Sequence, residues 1–209
     1  TFFLKDAGHI LGSAMVEVHY GGKKILFTGD LGNSPASLLN DTESPEGADY
    51  LLMESVYGDR NHETLEERDQ KFAGILKDTI SRGGAVVIPA FSLERTQNIL
   101  YALNNLIEDK KIPSVPVFVD SPLAIRVTEI YREEQKNFKA AIKREIAAGD
   151  DIFNFPKLQF TESSRESDKI ERTKNPKIIL AGSGMSAGGR VTRHEKNYLG
   201  DPKSAILLV

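Results

Sequence analysis

Apolar and polar positions alternate along Ala14-Met15-Val16-Glu17-Val18-His19-Tyr20, the period of two expected of a half-buried strand. Gly21-Gly22 supplies a turn and Lys24-Ile25-Leu26-Phe27-Thr28 a second strand, so the segment reads as a hairpin. A third apolar run, Tyr50-Leu51-Leu52-Met53-Glu54, follows the polar, proline-containing stretch from Asn33 to Asp49. From about Glu63 the period lengthens. Leu65, Phe72, Ile75, Leu76 and Ile80 mark an amphipathic helix stopped by Gly83-Gly84, and Ala85-Val86-Val87-Ile88-Pro89 is a short buried strand. The unit recurs: Ser92 is the expected cap of a helix holding Ile99, Leu100, Leu103, Leu106 and Ile107, and Val115 to Val119 is the next strand. A helical region from about Pro122 to Ala148, broken near Gln135, precedes the strand Lys177 to Ala181. A glycine-rich turn, a helix from Arg190 to Leu199 and a terminal strand complete the pattern. Asn154 to Pro176 carries the weakest pattern, and Ser163 to Asp168 reads as loop. Strands alternating with helices predict an α/β fold with a mainly parallel sheet flanked by helices.

Composition narrows the chemistry. The chain has 209 residues, 40% apolar and 27% charged, with no cysteine. Disulfides, thiolate metal sites and thiol nucleophiles are therefore excluded, and a metal would need histidine and carboxylate ligands. No stretch approaches the roughly 18 uncharged apolar residues of a membrane-spanning helix, so a cytoplasmic location without a membrane partner is the expectation. Both ends are apolar, Thr1-Phe2-Phe3-Leu4 and Ala205-Ile206-Leu207-Leu208-Val209, which reads as a piece of a protein about twice this length. Residues 1 to 60 hold four Lys and Arg against nine Asp and Glu, and the remainder 23 against 21. An acidic first segment suits a cation site.

Three strand ends in that segment carry ionisable groups. His9 lies in Gly8-His9-Ile10-Leu11-Gly12-Ser13-Ala14, Asp30 in Thr28-Gly29-Asp30-Leu31-Gly32, and Glu54 opens Glu54-Ser55-Val56-Tyr57-Gly58-Asp59-Arg60. Imidazole with carboxylates suits zinc, manganese or a similar ion. Turn chemistry accounts for each residue taken singly. The stretch Gly182-Ser183-Gly184-Met185-Ser186-Ala187-Gly188-Gly189-Arg190 offers backbone amides to a phosphate, yet it is neither a Walker sequence nor a G-x-G-x-x-G fingerprint. A tight strand-to-helix turn explains it equally well.

Taken in order, these motifs resemble those of the metallo-β-lactamase-fold nucleases of the β-CASP family, a group of RNA-processing enzymes. Ile88-Pro89-Ala90-Phe91-Ser92 with Arg95-Thr96-Gln97, Phe118-Val119-Asp120-Ser121-Pro122-Leu123-Ala124 and the glycine-rich turn extend the resemblance over essentially the whole chain. It implies that residues 1–60 belong to a metallo-β-lactamase αββα sandwich and 61–209 to a β-CASP domain. It implies a zinc-dependent RNA phosphodiesterase, endonucleolytic or exonucleolytic, with two Zn2+ ions in the intact protein. His9 resembles a ligand of one zinc and Asp30 the carboxylate bridging both. Glu54 resembles the acidic residue that orients, or exchanges a proton with, a later histidine. Ser55, Tyr57 and His62 would flank that site. The turn would lie at the cleft between the two domains, with Arg95, Gly184, Gly188, Gly189 and Arg190 contacting the RNA backbone. RNA is the implied partner, with a homodimer as a further expectation.

The sequence departs from the family in places. The H-x-H-x-D-H metal motif is missing, and many members have Gly before the arginine where Glu94 stands, and paired histidines where Arg193-His194 stand. His19 reads as structural and His194 as a surface residue. One histidine and one aspartate do not hold two zinc ions, so the 209 residues alone are expected to bind zinc weakly and to be inactive. Two other readings use the same residues: a non-catalytic RNA-binding or assembly module of this fold, and a nucleotide-binding α/β domain built on residues 182–190.

Overall fold

The computed structural model describes all 209 residues, and the chain divides into two compact units: Thr1–Leu65 with Glu134–Arg144, and Glu66–Glu133 with Glu145–Val209.

The first unit is a four-stranded sheet ordered β1-β2-β3-β4, with β1 at Phe2–Asp6, β2 at Ala14–Tyr20, β3 at Lys23–Phe27 and β4 at Tyr50–Leu52. The β2–β3 hairpin is present as the alternation predicts, with Val16 opposite Phe27 and Tyr20 opposite Lys23. Its turn uses Gly21 and Gly22 at φ 57° and 73°, the left-handed region that glycine enters without steric cost. Strand β4 runs parallel to β3, which brings the chain after Phe27 beside the chain after Leu52. Met15, Leu26 and Ala7 form a small buried core with Leu31 packed on it. Glu134–Arg144 joins this unit through the bridge between Leu39 and Phe138, both buried, and through the Lys139 ammonium donating to the Ala36 carbonyl at 2.6 Å.

The second unit is an all-parallel sheet ordered β7-β6-β8-β5-β9. Its strands are β5 (Ala85–Pro89), β6 (Val117–Asp120), β7 (Leu158–Phe160), β8 (Lys177–Ala181) and β9 (Ala205–Ile206). Every residue of β5, β6 and β8 is buried, as sheets covered on both faces require. The helices are α1 (Leu65–Ser81), α2 (Arg95–Glu108), α3 (Pro122–Glu133), α4 (Ala140–Ala147), which begins in the first unit's Glu134–Arg144 segment, α5 (Ser164–Arg172) and α6 (Val191–Tyr198). Val87, Phe118, Ile179, Ile170 and Val191 meet in the core. No helix is long and apolar enough to cross a membrane.

Three local expectations are corrected. Ser163 to Asp168 is not loop: Ser163 caps α5, its hydroxyl accepting from the Glu166 amide while the Glu166 carboxylate accepts from the Ser163 amide. That is the Ser-x-x-Glu capping box, a signal legible in Ser163-Ser164-Arg165-Glu166. Ser92 does not cap α2. The helix begins at Arg95, and the Ser92 hydroxyl lies 3.1 Å from that of Ser121. Ile75 falls outside the buried face of α1, which uses Leu76, Thr79 and Ile80.

Lys177 opens a fully buried strand because its ammonium donates to the Ile170 and Thr173 carbonyls, each at 2.6 Å. The Ile170 carbonyl, in the last turn of α5, also accepts from the amide of Thr173, the residue that caps the helix. Burial pushes the Lys177 pKa down, and the ammonium sits 5.4 Å from the centre of the Tyr198 ring.

Candidate functional site

In the first unit, the loops that follow β1, β3 and β4 carry His9, Asp30 and Glu54. Two glycines let those loops touch. A Cβ at Gly32 would stand 1.9 Å from the Gly8 carbonyl oxygen; Gly8 itself sits at φ 64°, and the Gly32 amide donates to the Ala7 carbonyl at 2.8 Å. The Thr42 hydroxyl donates to the Ala7 carbonyl at 3.0 Å and reaches the Gly32 carbonyl at 3.3 Å. The Ser13 hydroxyl accepts from the His9 and Ile10 amides. Backbone approach thus explains Gly8 and Gly32, whereas Gly12 and Gly29 have open space and are explained by φ values of 84° and 57°. Gly32→Ala is expected to cost about 1–3 kcal/mol in denaturant unfolding, the range for forced overpacking. Gly12→Ala, strained only by its φ of 84° with nothing within 4 Å, should cost less. Equal losses at the two positions would show that the loop contact is not tight.

The result is a pair, His9 Nε2 at 4.0 Å from Asp30 Oδ2, with side chains 43% and 78% exposed. Glu54 stands beside them with its carboxylate oriented by main-chain amides. It accepts from Leu31 N at 3.0 Å and Val56 N at 3.3 Å, and its own amide donates to the Thr28 hydroxyl. His9 and Asp30 match a histidine-carboxylate ligand set in type and proximity. No group of three His, Asp or Glu residues stands close enough together to hold a metal ion, so the pair falls short of the three protein ligands of a catalytic zinc site. Tyr57 and His62 pack edge to face, ring centres 4.7 Å apart, and Ser55 closes a turn to Gly58; all three are exposed. His19 is structural, its Nε2 2.6 Å from the Glu17 carboxylate and its ring edge-on to Phe3.

In the second unit, the carboxyl ends of β5, β8 and β6 lie side by side, with Pro89 and Asp120 both in register with Ala181. Ligands of open α/β sheets bind outside such ends. Here Ser92 and Ser121 pair, and a Cβ on Gly182 would be 3.4 Å from the Ser121 hydroxyl. The glycine-rich turn folds on itself: Ser183 N donates to Gly188 O, Ser186 N to Ser183 O and Val191 N to Gly182 O. A Cβ at Gly184 would stand 2.7 Å from the Phe91 ring, and one at Gly189 2.4 Å from the Gly182 carbonyl oxygen. Close packing therefore explains Gly184 and Gly189, while Gly188 has open space around it. Arg95 is exposed on the first turn of α2.

Arg190 differs from the sequence reading. Its guanidinium donates to Asp120 at 2.8 Å, to the Thr161 carbonyl at 2.9 Å and to the Glu162 carbonyl at 2.7 Å, so it clamps the fold around a buried carboxylate. His194 is likewise no surface residue. It is fully buried, with Nε2 2.7 Å from Asp120 Oδ2. Its Nδ1 is buried without a partner, and Nε2 is assigned as the donor because the Asp120 carboxylate can only accept. Thr161 and Ser167 complete the set, donating to Asp120 at 2.8 and 2.6 Å. Burial alone would raise the Asp120 pKa; the donors from His194, Ser167, Thr161 and Arg190 outweigh it and hold the carboxyl well below the usual range. The sequence singled out the Asp120 motif without this role. A carboxylate closing the apolar run Val117-Phe118-Val119 was the available signal, but its partners lie 41 to 74 residues away.

Glu94 adopts φ 60°, a conformation that glycine enters freely and other residues rarely. It stands where many members of the resembled family have glycine. Its carboxylate accepts from the Tyr131 hydroxyl and the Asn98 amide, two bonds that offset the strain.

A Beta-Casp domain matches residues 96–209. The chain belongs to the β-CASP family. It is 38% identical to Ribonuclease TTHA0252 of Thermus thermophilus, over 98% of this chain and 47% of that protein. It is 36% identical to an RNase J-like protein of Methanocaldococcus jannaschii, over 99% of this chain and 48% of that protein. With Cleavage and polyadenylation specificity factor 73 of Drosophila melanogaster it shares 29% identity over 97% of this chain and 29% of that protein. The chain thus spans about half the length of the first two relatives and less of the third.

Proposed function

We propose that this chain forms part of a zinc-dependent ribonuclease that hydrolyses RNA phosphodiester bonds. The observation that carries the reading is the pairing of His9 with Asp30 beside an amide-oriented Glu54, in a family whose relatives include named ribonucleases. His9 and Asp30 would be two of the metal ligands, the rest coming from residues outside these 209. Bound there, zinc would lower the pKa of a water and neutralise charge on the phosphate. Glu54, held by the Leu31 and Val56 amides, would orient or exchange a proton with a histidine from elsewhere in the intact protein. Exposed Phe2, Leu4, Tyr50, Leu51 and Leu52 on the edge strands β1 and β4 support a further layer covering this sheet, since a sheet with apolar faces needs one. Arg95 and the open backbone at Gly188 would take RNA phosphates, with Arg190 holding the turn from behind. A homodimer and a cytoplasmic location belong to the same proposal.

The test compares the intact protein with the 209-residue chain. The intact protein should cleave a labelled single-stranded RNA, stop on addition of a chelator and resume with zinc. The short chain should show substoichiometric zinc by elemental analysis and no turnover. Chelator-resistant cleavage by the intact protein would remove the metal from the proposal, and no cleavage at all would remove the activity.

A further inference from the structure

We propose that Phe91 is a stacking platform for one base of a single-stranded RNA, with Arg95 taking a neighbouring phosphate; this rests on the ribonuclease reading and deepens it. Phe91 is the one aromatic ring of the second unit that is more than half exposed, at 53%. It follows β5, at the carboxyl ends of the parallel strands, where the Ser92 and Ser121 hydroxyls and the glycine-rich turn gather. An exposed ring is unfavourable in water, yet this one is held in place. Gly184 leaves room for it, since a Cβ there would be 2.7 Å from Cδ2 and 3.0 Å from Cε2. Its carbonyl accepts from the Thr96 hydroxyl at 2.7 Å and the Thr96 amide at 3.2 Å. One flank of the ring rests on main chain, and the backbone is tied to the first turn of α2.

A fixed ring with a free face loses little entropy when a flat partner covers it. Arg95, the residue before Thr96, is exposed on that same first turn. An aromatic face beside a guanidinium is the combination that takes unstacked bases and their phosphates, with little dependence on sequence. A base within a duplex cannot offer its face, so the ligand is single-stranded.

The experiment measures binding of two 2′-O-methyl oligonucleotides of equal length, one with bases and one abasic, to the intact protein by fluorescence anisotropy. The variants are Phe91→Leu and Phe91→Trp, with thermal melts of each. Phe91→Leu should weaken binding of the base-containing strand about 10-fold, leave the abasic strand within about 2-fold, and melt with the wild type. Phe91→Trp should retain the affinity. Equal losses on both strands, or none on either, would overturn the stacking role while leaving the ribonuclease reading standing. A wild-type protein that binds neither strand would overturn the RNA reading, and the stacking proposal with it.

Discussion

Asp120→Ala should destabilise the protein by about 3–5 kcal/mol, the range for breaking a buried ion pair by removing one partner. The carboxylate is fully buried, and four side chains donate to it: Arg190, His194, Thr161 and Ser167. Alanine removes the charge they share, although Arg190 keeps the Thr161 and Glu162 carbonyls and Thr161 keeps the Val119 carbonyl. His194, already without a partner at Nδ1, would lose the bond to Asp120, and Arg190 would lose its counter-charge. At about 2–4 °C per kcal/mol for a chain of this size, the melting temperature should fall by roughly 10 °C. Asp120→Asn keeps the shape and should lose less. The penalty should also depend on pH in a defined direction. Because the folded-state pKa of Asp120 is depressed, its contribution is complete above the ordinary carboxylate value of about 4 and declines as pH falls below it. The gap between wild type and Asp120→Ala should therefore be flat near neutrality and narrow in acid. A loss under about 1 kcal/mol at pH 7 would mean that the cluster is relaxed or hydrated rather than dry.

Asp30→Asn should do the reverse. Asp30 is 78% exposed, and the His9 imidazole lies 4.0 Å from its carboxylate. Its replacement should leave stability within about 0.5 kcal/mol, as for ordinary surface positions. On the ribonuclease reading, however, the amide cannot supply the charge required of a metal-bridging group, and RNA cleavage by the intact protein should fall by about 1,000-fold or more. Zinc content measured on the same preparations should fall with it. Cleavage within about 10-fold of wild type would rule out a bridging role for Asp30. The two aspartates separate cleanly: one is expected to govern folding with little direct chemistry, the other chemistry with little effect on folding.

Much of the architecture was legible along the chain because burial on both faces of a sheet leaves a local trace. Val86-Val87-Ile88 and Ile178-Ile179-Leu180 could be little else than covered strands, and the break in the helix near Gln135 appears as a short 3-10 turn at Gln135–Asn137. The β2–β3 hairpin was equally plain, since its alternation and its glycine pair are adjacent in sequence. The capping box at Ser163 was legible too, but it lies in a stretch with a weak apolar pattern.

What the sequence determined by itself was the alternation of strands and helices, the family, and which strand-end residues are of a type that could serve zinc and RNA. These follow from periodicities and motifs a few residues long. Only the tertiary structure decided that Arg190 and His194 turn inward to Asp120, that Gly32 and Gly184 are required by neighbouring backbone and ring, and that Phe91 stays exposed on a fixed seat. Each of these depends on groups brought together from distant parts of the chain. A side chain's role is set by the donors, acceptors and atoms that folding places within a few ångströms of it, and their spacing in sequence leaves no local periodicity.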